Sequence, residues 1–170
     1  IGILPNKLAE SRVIVNLFFS QLINQNTKEL PQDNPDLKHQ CMLLMDEFTS
    51  IGKVEIIAHS VSYMAGYNIR LFPIIQSVAQ LDAVYGKEYA RTIITNHALQ
   101  IIYTPREQQD ANEYSEMLGY TTVKRKNVSR GRERSVSESE ERRALMLPQE
   151  LKAMSQDKEI ILYEGMSHPA

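Results

Sequence analysis

Along the chain, apolar positions switch repeatedly between a helical period and short unbroken runs. Between Pro5 and Asn24, the residues Leu8, Val15, Phe19 and Leu22 fall on one face, and Val13, Ile14, Phe18 and Ile23 widen it. That spacing predicts a helix. Residues 27–39 are polar, carry Pro31 and Pro35, and read as a loop. Cys41–Met45 is a short continuous apolar run, the pattern of a strand buried on both faces. Val54, Ile57, Ala58, Val61, Met64 and Ala65 return to helical spacing, and Gly66 stands where a left-handed cap would end that helix. Ile69 to Ile75 predicts the next strand. Two short helices follow, Val78 to Tyr85 closed by Gly86, and Glu88 to Thr95. Then come a strand from Ala98 to Tyr103 and a helix from Glu107 to Leu118, with Ala111, Tyr114 and Leu118 inward and Gly119 as its stop. Thr121 to Lys124 begins a strand, and Glu159 to Tyr163 is the last one.

Strands separated by helices imply crossovers and a mostly parallel sheet with helices on both faces. The fold class is therefore α/β. Pro73 is the one discordant residue, because proline inside a strand removes a ladder donor. Either the strand bends there or it has a free side at that point.

Composition adds limits. A chain of 170 residues with 42% hydrophobic and 24% charged residues is ordinary for one globular domain. The net charge of -2 is no global footprint for nucleic acid or membrane. The longest largely apolar stretches, Val13–Phe19 and Cys41–Met45, fall far short of the roughly 20 residues that span a bilayer. A single cysteine excludes an intrachain disulfide. The chain opens on Ile rather than Met and is read as a piece of something longer.

The charge is unevenly placed. Residues 124–143 hold eight basic and four acidic side chains, net +4, while the rest carries net -6. That stretch has two Val and nothing larger to bury, so it reads as a mobile loop or a long exposed hairpin.

The candidate chemistry sits at the end of the first strand. Cys41-Met-Leu-Leu-Met is followed by Asp46 and Glu47. In P-loop NTPases an apolar strand ending in two acids is the Walker B motif. The carboxyl edge of such a sheet is where ligands bind. There the first carboxylate holds Mg²⁺, directly or through its water shell, and the second orients or deprotonates the attacking water. Asp46 takes the metal role in that reading and Glu47 the water role. In other α/β proteins the same acids simply cap the next helix. Gln76 ends the following apolar strand and so shares the sheet edge, where a Gln can sense the γ-phosphate or hold the lytic water.

Other constellations are weaker. His39, His59, His97, His168 and Cys41 show no zinc-ligand spacing. No G-x-S-x-G elbow is present.

The phrases DEFTSIGKVE, MAGYNIRLFPIIQSVAQLDAVYG, MLGYTTV and LMLPQEL closely resemble the TraG-like coupling ATPases of type IV secretion and bacterial conjugation. The resemblance runs from about Lys7 to Gly165. It implies a partial RecA-like P-loop NTPase fold, with residues 1–170 as the carboxyl-terminal portion of the ATPase domain, within which composition makes 124–143 a charged mobile loop. It implies Asp46 and Glu47 as the Walker B pair, Gln76 as the following-strand glutamine, and ATP and Mg²⁺ as cofactors of the parent protein. It also implies a homo-hexamer on the cytoplasmic face of the bacterial inner membrane. That hexamer would take a DNA–relaxase complex or effector proteins and pass them to the secretion channel. A phosphate loop needs G-x-x-x-x-G-K-[ST]. Gly52-Lys53 and Gly86-Lys87 do not fit it, so the chain as given supplies half of such a site and is expected to be inactive alone. The trans-acting arginine is unassigned, since Val54 to Ala65 contains no Arg. Another hexameric RecA-like DNA translocase or helicase, or a non-catalytic docking module, are the alternative readings.

Overall fold

The computed structural model describes residues 3–130, 134–166 and 169. His168 and Arg132 lie outside the described residues. The chain divides into two compact units, residues 1–98 and 99–170.

The first unit begins with a 3₁₀ turn, Pro5–Lys7, that runs into α1, Leu8–Asn26. Val15 and Ile23 are buried and Phe19 and Leu22 partly so, but Val13, Ile14 and Phe18 are exposed. The buried stripe is narrower than the predicted face. β1, Cys41–Met45, pairs in parallel with β2, Ile69–Pro73. Between them lie α2, Glu55–Ser60, and a 3₁₀ turn, Met64–Tyr67. The single helix expected from Val54 to Ala65 is thus broken after Ser60. Its left-handed cap is Asn68 at φ 59° rather than Gly66, and the Asn68 N–H returns to Ala65 and Met64 carbonyls. Asn tolerates this conformation almost as well as Gly, so the cap moved by two residues. α3, Val78–Tyr85, and α4, Lys87–Thr95, complete the unit. Gly86 joins them at φ 81°, where a side chain would be strained.

β1 departs from the sequence reading. Leu43 and Met45 are buried, whereas Met42 and Leu44 are 66% and 62% exposed. The strand is buried on one face, not on both. Its inward residues join Ile23, Phe48, Val54, Ile57, Ile69, Leu81, Tyr85 and Ile93 in one core.

Pro73 causes no break in the ladder. Ile74 N–H donates to Met45 O at 3.0 Å, so Pro73, one residue earlier, turns its ring nitrogen to the other edge of β2. On that edge the Leu71 carbonyl lies 3.2 Å from His97 Nε2. Of the two options for Pro73, β2 has the side that needs no donor.

In the second unit β3, Leu99–Ile102, pairs antiparallel with β6, Ile160–Tyr163. α5, Gln108–Leu118, buries Asp110, Ala111 and Ser115 and ends at Gly119, φ 79°. β4, Tyr120–Arg130, and β5, Arg134–Ala144, form an antiparallel hairpin across the charged stretch. Its register sets Lys124 opposite Glu140 and Val123 opposite Glu141. α6, Pro148–Lys152, was not anticipated from the sequence. Pro148 opens it, and the Glu150 carboxylate accepts the Leu147 N–H at 2.8 Å. Proline at the first helical position with Glu two residues on is the signal that marks it. The Leu147 N–H, aided by Arg143, holds the Glu150 carboxyl below its usual range.

Candidate functional site

The end of β1 is tied to the end of β2 by backbone. Ile74 donates to Met45 O, and Phe48 N–H donates back to Ile74 O, each at 3.0 Å. To make that return, the chain turns at Glu47, which sits at φ 48°. A left-handed conformation costs an L-residue about 1–2 kcal/mol, so the surrounding bonds must hold it. They do so closely. Glu47 N–H donates to Asp46 Oδ1 at 3.0 Å. The Ser50 N–H and hydroxyl both donate to Glu47 O at 2.8 Å. Gly52 N–H donates to Thr49 O at 3.2 Å. Gly52 itself is at φ 76°, and a Cβ there would lie 3.0 Å from Arg12 Nε.

Phe48 anchors this loop in the core. It is fully buried and stacks on Tyr85 of α3, with ring centroids 5.2 Å apart and planes 16° from parallel. The Tyr85 hydroxyl accepts the Val54 N–H at 3.2 Å and so caps the start of α2. Burial pushes the Tyr85 phenol up to about 12, with the Val54 bond pulling the other way and Glu55 adding to the rise. Burial, with help from Asp110 and Glu113, also pushes Tyr114 up to about 12.

A stability prediction follows from the sign of these shifts. Both phenols are neutral in the folded chain to a higher pH than in the unfolded one. Their contribution is whole below about pH 10, the unfolded value, and is lost as pH climbs from there toward about 12. Each is expected to remove up to roughly 2–3 kcal/mol over that window, since one pKa unit is about 1.4 kcal/mol. Denaturant unfolding at a series of pH values checks it. Tyr85→Phe should flatten the alkaline fall while lowering neutral stability by about 1–3 kcal/mol, because the buried Val54 N–H loses its acceptor. An unchanged alkaline limb in that variant would show that Tyr85 does not control it.

The predicted site residues all lie in the first unit. Asp46 and Glu47 are exposed at the carboxyl end of β1. Gln76 is also exposed, but β2 stops at Pro73, so Gln76 stands on the loop just before Ser77 rather than at the strand's end. A groove of about 380 Å³ nevertheless takes both Glu47 and Gln76 in its lining, with Thr49, Ser50, Gln80, Ala83 and Val84. Asp46 is next to Glu47 in the chain but outside that lining. Thr49, Ser50 and Gln80 were missed by the sequence reading. Thr49 and Ser50 follow the candidate acids in the DEFTS phrase, whereas the place of Gln80 depends on the fold. Thr49 Oγ donates to Gln80 Oε1 at 3.3 Å. Ser77 caps α3, its hydroxyl accepting the Gln80 N–H at 3.3 Å.

Among the described residues no cluster of three His, Cys, Asp or Glu side chains is placed to hold a metal ion. The Asp46 carboxylate is of the hard-oxygen chemistry that Mg²⁺ takes. One oxygen is oriented by the Glu47 N–H and the carboxylate stays exposed. Mg²⁺ commonly keeps several waters and takes only one or two carboxylates plus phosphate oxygens. Among the described residues no helix is long and apolar enough to cross a membrane.

Comparison with known proteins bears on the fold and the family. Protein VirD4 of Agrobacterium fabrum (strain C58) is 27% identical over 169 residues, covering 97% of this chain and 25% of VirD4. A conjugal transfer protein TraG of Escherichia coli is 31% identical over 121 residues, 69% of this chain and 19% of TraG. The chain thus spans about a quarter of the curated relatives it matches. The bacterial conjugative coupling protein TrwBdeltaN70 superposes with a TM-score of 0.76 at 18% identity, over 97% of this chain and 38% of its own. TrwB in complex with ADP and Mg²⁺ superposes with a TM-score of 0.73 at 19% identity, over 97% of this chain and 36% of its own. These likenesses show the fold, the α/β RecA-like P-loop NTPase class in partial form. Residues 1–169 match the family described as type IV secretory system conjugative DNA transfer, and the chain belongs to that family.

Proposed function

We propose that this chain is the carboxyl-terminal part of the ATPase domain of a coupling protein that drives DNA or protein substrates into a type IV secretion channel. The observation that carries the reading is one groove, at the carboxyl end of the parallel pair β1–β2, lined by both Glu47 and Gln76. The family match and the nucleotide complexes of TrwB support it. In this reading the phosphate-binding loop and the membrane anchor would come from sequence outside this chain, and the working assembly is a homo-hexamer.

In this reading the chain's own residues divide the work. Asp46 holds Mg²⁺, directly or through water, as a hard oxygen ligand. When bound, the ion neutralises charge on the nucleotide phosphates. Glu47 accepts a hydrogen bond from the attacking water and draws its proton as the oxygen bonds to the γ-phosphorus, while the bond from that phosphorus to the β–γ bridging oxygen breaks and ADP leaves with it. Gln76, an amide with both donor and acceptor, orients that water or meets a γ-phosphate oxygen. The backbone ties at Met45, Phe48 and Ile74 keep Glu47 and Gln76 on one edge, so the geometry is set before substrate arrives. Steady-state ATP hydrolysis by a protein that joins this chain to a phosphate-binding loop, compared with its Glu47→Gln variant, tests the reading.

The partners in this reading are a relaxase–DNA complex or effector proteins, and the channel. The hairpin offers a test of the DNA arm. Arg125 reaches Glu141 at 3.1 Å with both side chains largely exposed, a pair that contributes at most about 1 kcal/mol. Changing Lys124, Arg125, Lys126, Arg130, Arg132 and Arg134 to Ser is therefore expected to leave the melting temperature within a few degrees. DNA binding by the assembled protein should weaken and lose salt dependence, because each neutralised phosphate adds about 0.9 to the slope of log K against log salt. A large fall in melting temperature would make the hairpin a packed element. An unchanged slope would remove it from the DNA path.

A further inference from the structure

The loop that carries Glu47 has a polar tie to α3 that the roles assigned so far do not use. Thr49, two residues past Glu47 and half-buried, donates its hydroxyl hydrogen to Gln80 Oε1 at 3.3 Å. Gln80 is presented from a fixed element. Its backbone N–H is held by Ser77, and the neighbouring Leu81 and, one turn on, Tyr85 are buried in the core. Both partners line the same groove as Glu47 and Gln76. Glu47 needs such support, because its φ of 48° is a conformation that surrounding bonds must impose. The bonds from Glu47 N–H to Asp46 Oδ1, from Ser50 to Glu47 O and from Phe48 N–H to Ile74 O fix the turn, and Phe48 stacked on Tyr85 anchors it to α3, with the Thr49–Gln80 bond a second, polar tie to the same helix on the groove side.

We propose that Gln80 is a positioning residue of the nucleotide-hydrolysing site. Through Thr49 it sets the distance between the Glu47 carboxylate and the Gln76 side of the groove. The inference rests on the reading of Glu47 as the group that acts on water. A small misplacement of a catalytic group costs rate without costing affinity, since the nucleotide is held elsewhere.

The test uses the protein that joins this chain to a phosphate-binding loop, with Thr49→Val, Thr49→Ser, Gln80→Ala and the Thr49→Val/Gln80→Ala double variant. Glu47→Gln is measured alongside. Thr49→Val and Gln80→Ala are each expected to lower kcat about tenfold or more, with KM and nucleotide affinity within about twofold of wild type. Thr49→Ser keeps the hydroxyl and should stay near wild type. The double variant should be no slower than the slower single one, because the same bond is lost only once. A residue that served only the fold would move the melting temperature and nucleotide affinity together with kcat, and that pattern would overturn the proposal. So would wild-type kcat in Gln80→Ala, or losses that multiply in the double variant, while Glu47→Gln stops turnover. If Glu47→Gln itself turns over at the wild-type rate, the reading of Glu47 is wrong and the role of Gln80 falls with it.

Discussion

Glu47→Gln, in a protein that joins this chain to a phosphate-binding loop, is expected to lower ATP turnover by about 10²–10⁴ while nucleotide binding persists. The change removes a base and keeps the size and most of the hydrogen-bonding shape of the side chain. The left-handed turn at residue 47 is set by the Glu47 N–H on Asp46 Oδ1, the Ser50 N–H and hydroxyl on Glu47 O and the Phe48 N–H on Ile74 O, none of which uses the Glu47 carboxylate. The loop should therefore survive the substitution, and the loss should fall on kcat. Asp46→Ala is a different lesion. It removes the candidate metal ligand and also the acceptor of the Glu47 N–H. Binding of Mg·ATP should weaken along with turnover, and the deficit should shrink at raised Mg²⁺. Two measurements separate the two acids, equilibrium binding of a non-hydrolysable analogue and phosphate release under saturating nucleotide. If Glu47→Gln released phosphate at near the wild-type rate, the two acids would be no more than the exposed turn that follows β1, and the Walker B assignment would be lost.

The edge that brings these acids together could be read in the residues, because few physical factors set it. An unbroken apolar run followed by two carboxylates fixes a strand and its exposed end, and Cys41–Met45 is that strand. Gly86 and Gly119 mark helix ends as expected, since positive φ is close to a glycine property. Other features depend on what surrounds a residue, and a single chain does not encode that locally. Met42 and Leu44 look as inward as Leu43, yet they are exposed, because a continuous apolar run does not say how many faces are covered. The helix expected from Val54 to Ala65 stops at Ser60, and its cap passes from Gly66 to Asn68, two residues that compete for the same backbone state. The charged stretch left two outcomes open, and its consecutive Lys124, Arg125 and Lys126 on one strand, with Ser and Glu on the other, give no apolar face to announce a hairpin. Its ladder, Lys124 against Glu140 and Val123 against Glu141, appears only when the strands are set in register. Gln76 stands past the end of β2, on the loop before Ser77, whereas the place of Glu47 at the carboxyl end of β1 was legible from the run before it. Gln80 was not, because its part depends on a partner 31 residues away.

Phe48→Ala is expected to be the most destabilising single change near the site, by about 3–5 kcal/mol. Phe48 is fully buried, stacks on Tyr85, and lies against the core built from Leu43, Met45, Val54 and Leu81. Truncation removes the apolar surface, leaves a cavity and forfeits the ring pair, which by itself adds about 0.5–1.5 kcal/mol. For a chain of this size the melting temperature should fall by roughly 6–20 °C, at about 2–4 °C per kcal/mol. β1, which leads into this loop, supplies the control. Leu44, only four residues earlier, is 62% exposed, so Leu44→Ala should change stability by no more than about 0.5 kcal/mol in the chain of 170 residues. Thermal unfolding of both variants decides between one-sided and two-sided burial at β1. A large loss for both would mean that the outer face of β1 is covered in solution. A small loss for Phe48→Ala would mean that the loop bearing Glu47 is not anchored by its aromatic neighbour. Between those outcomes lies the expected one. Residue 48 is fixed in the core, residue 47 is forced outward by the turn that fixes it, and the acid stands at the sheet edge because the phenylalanine beside it does not.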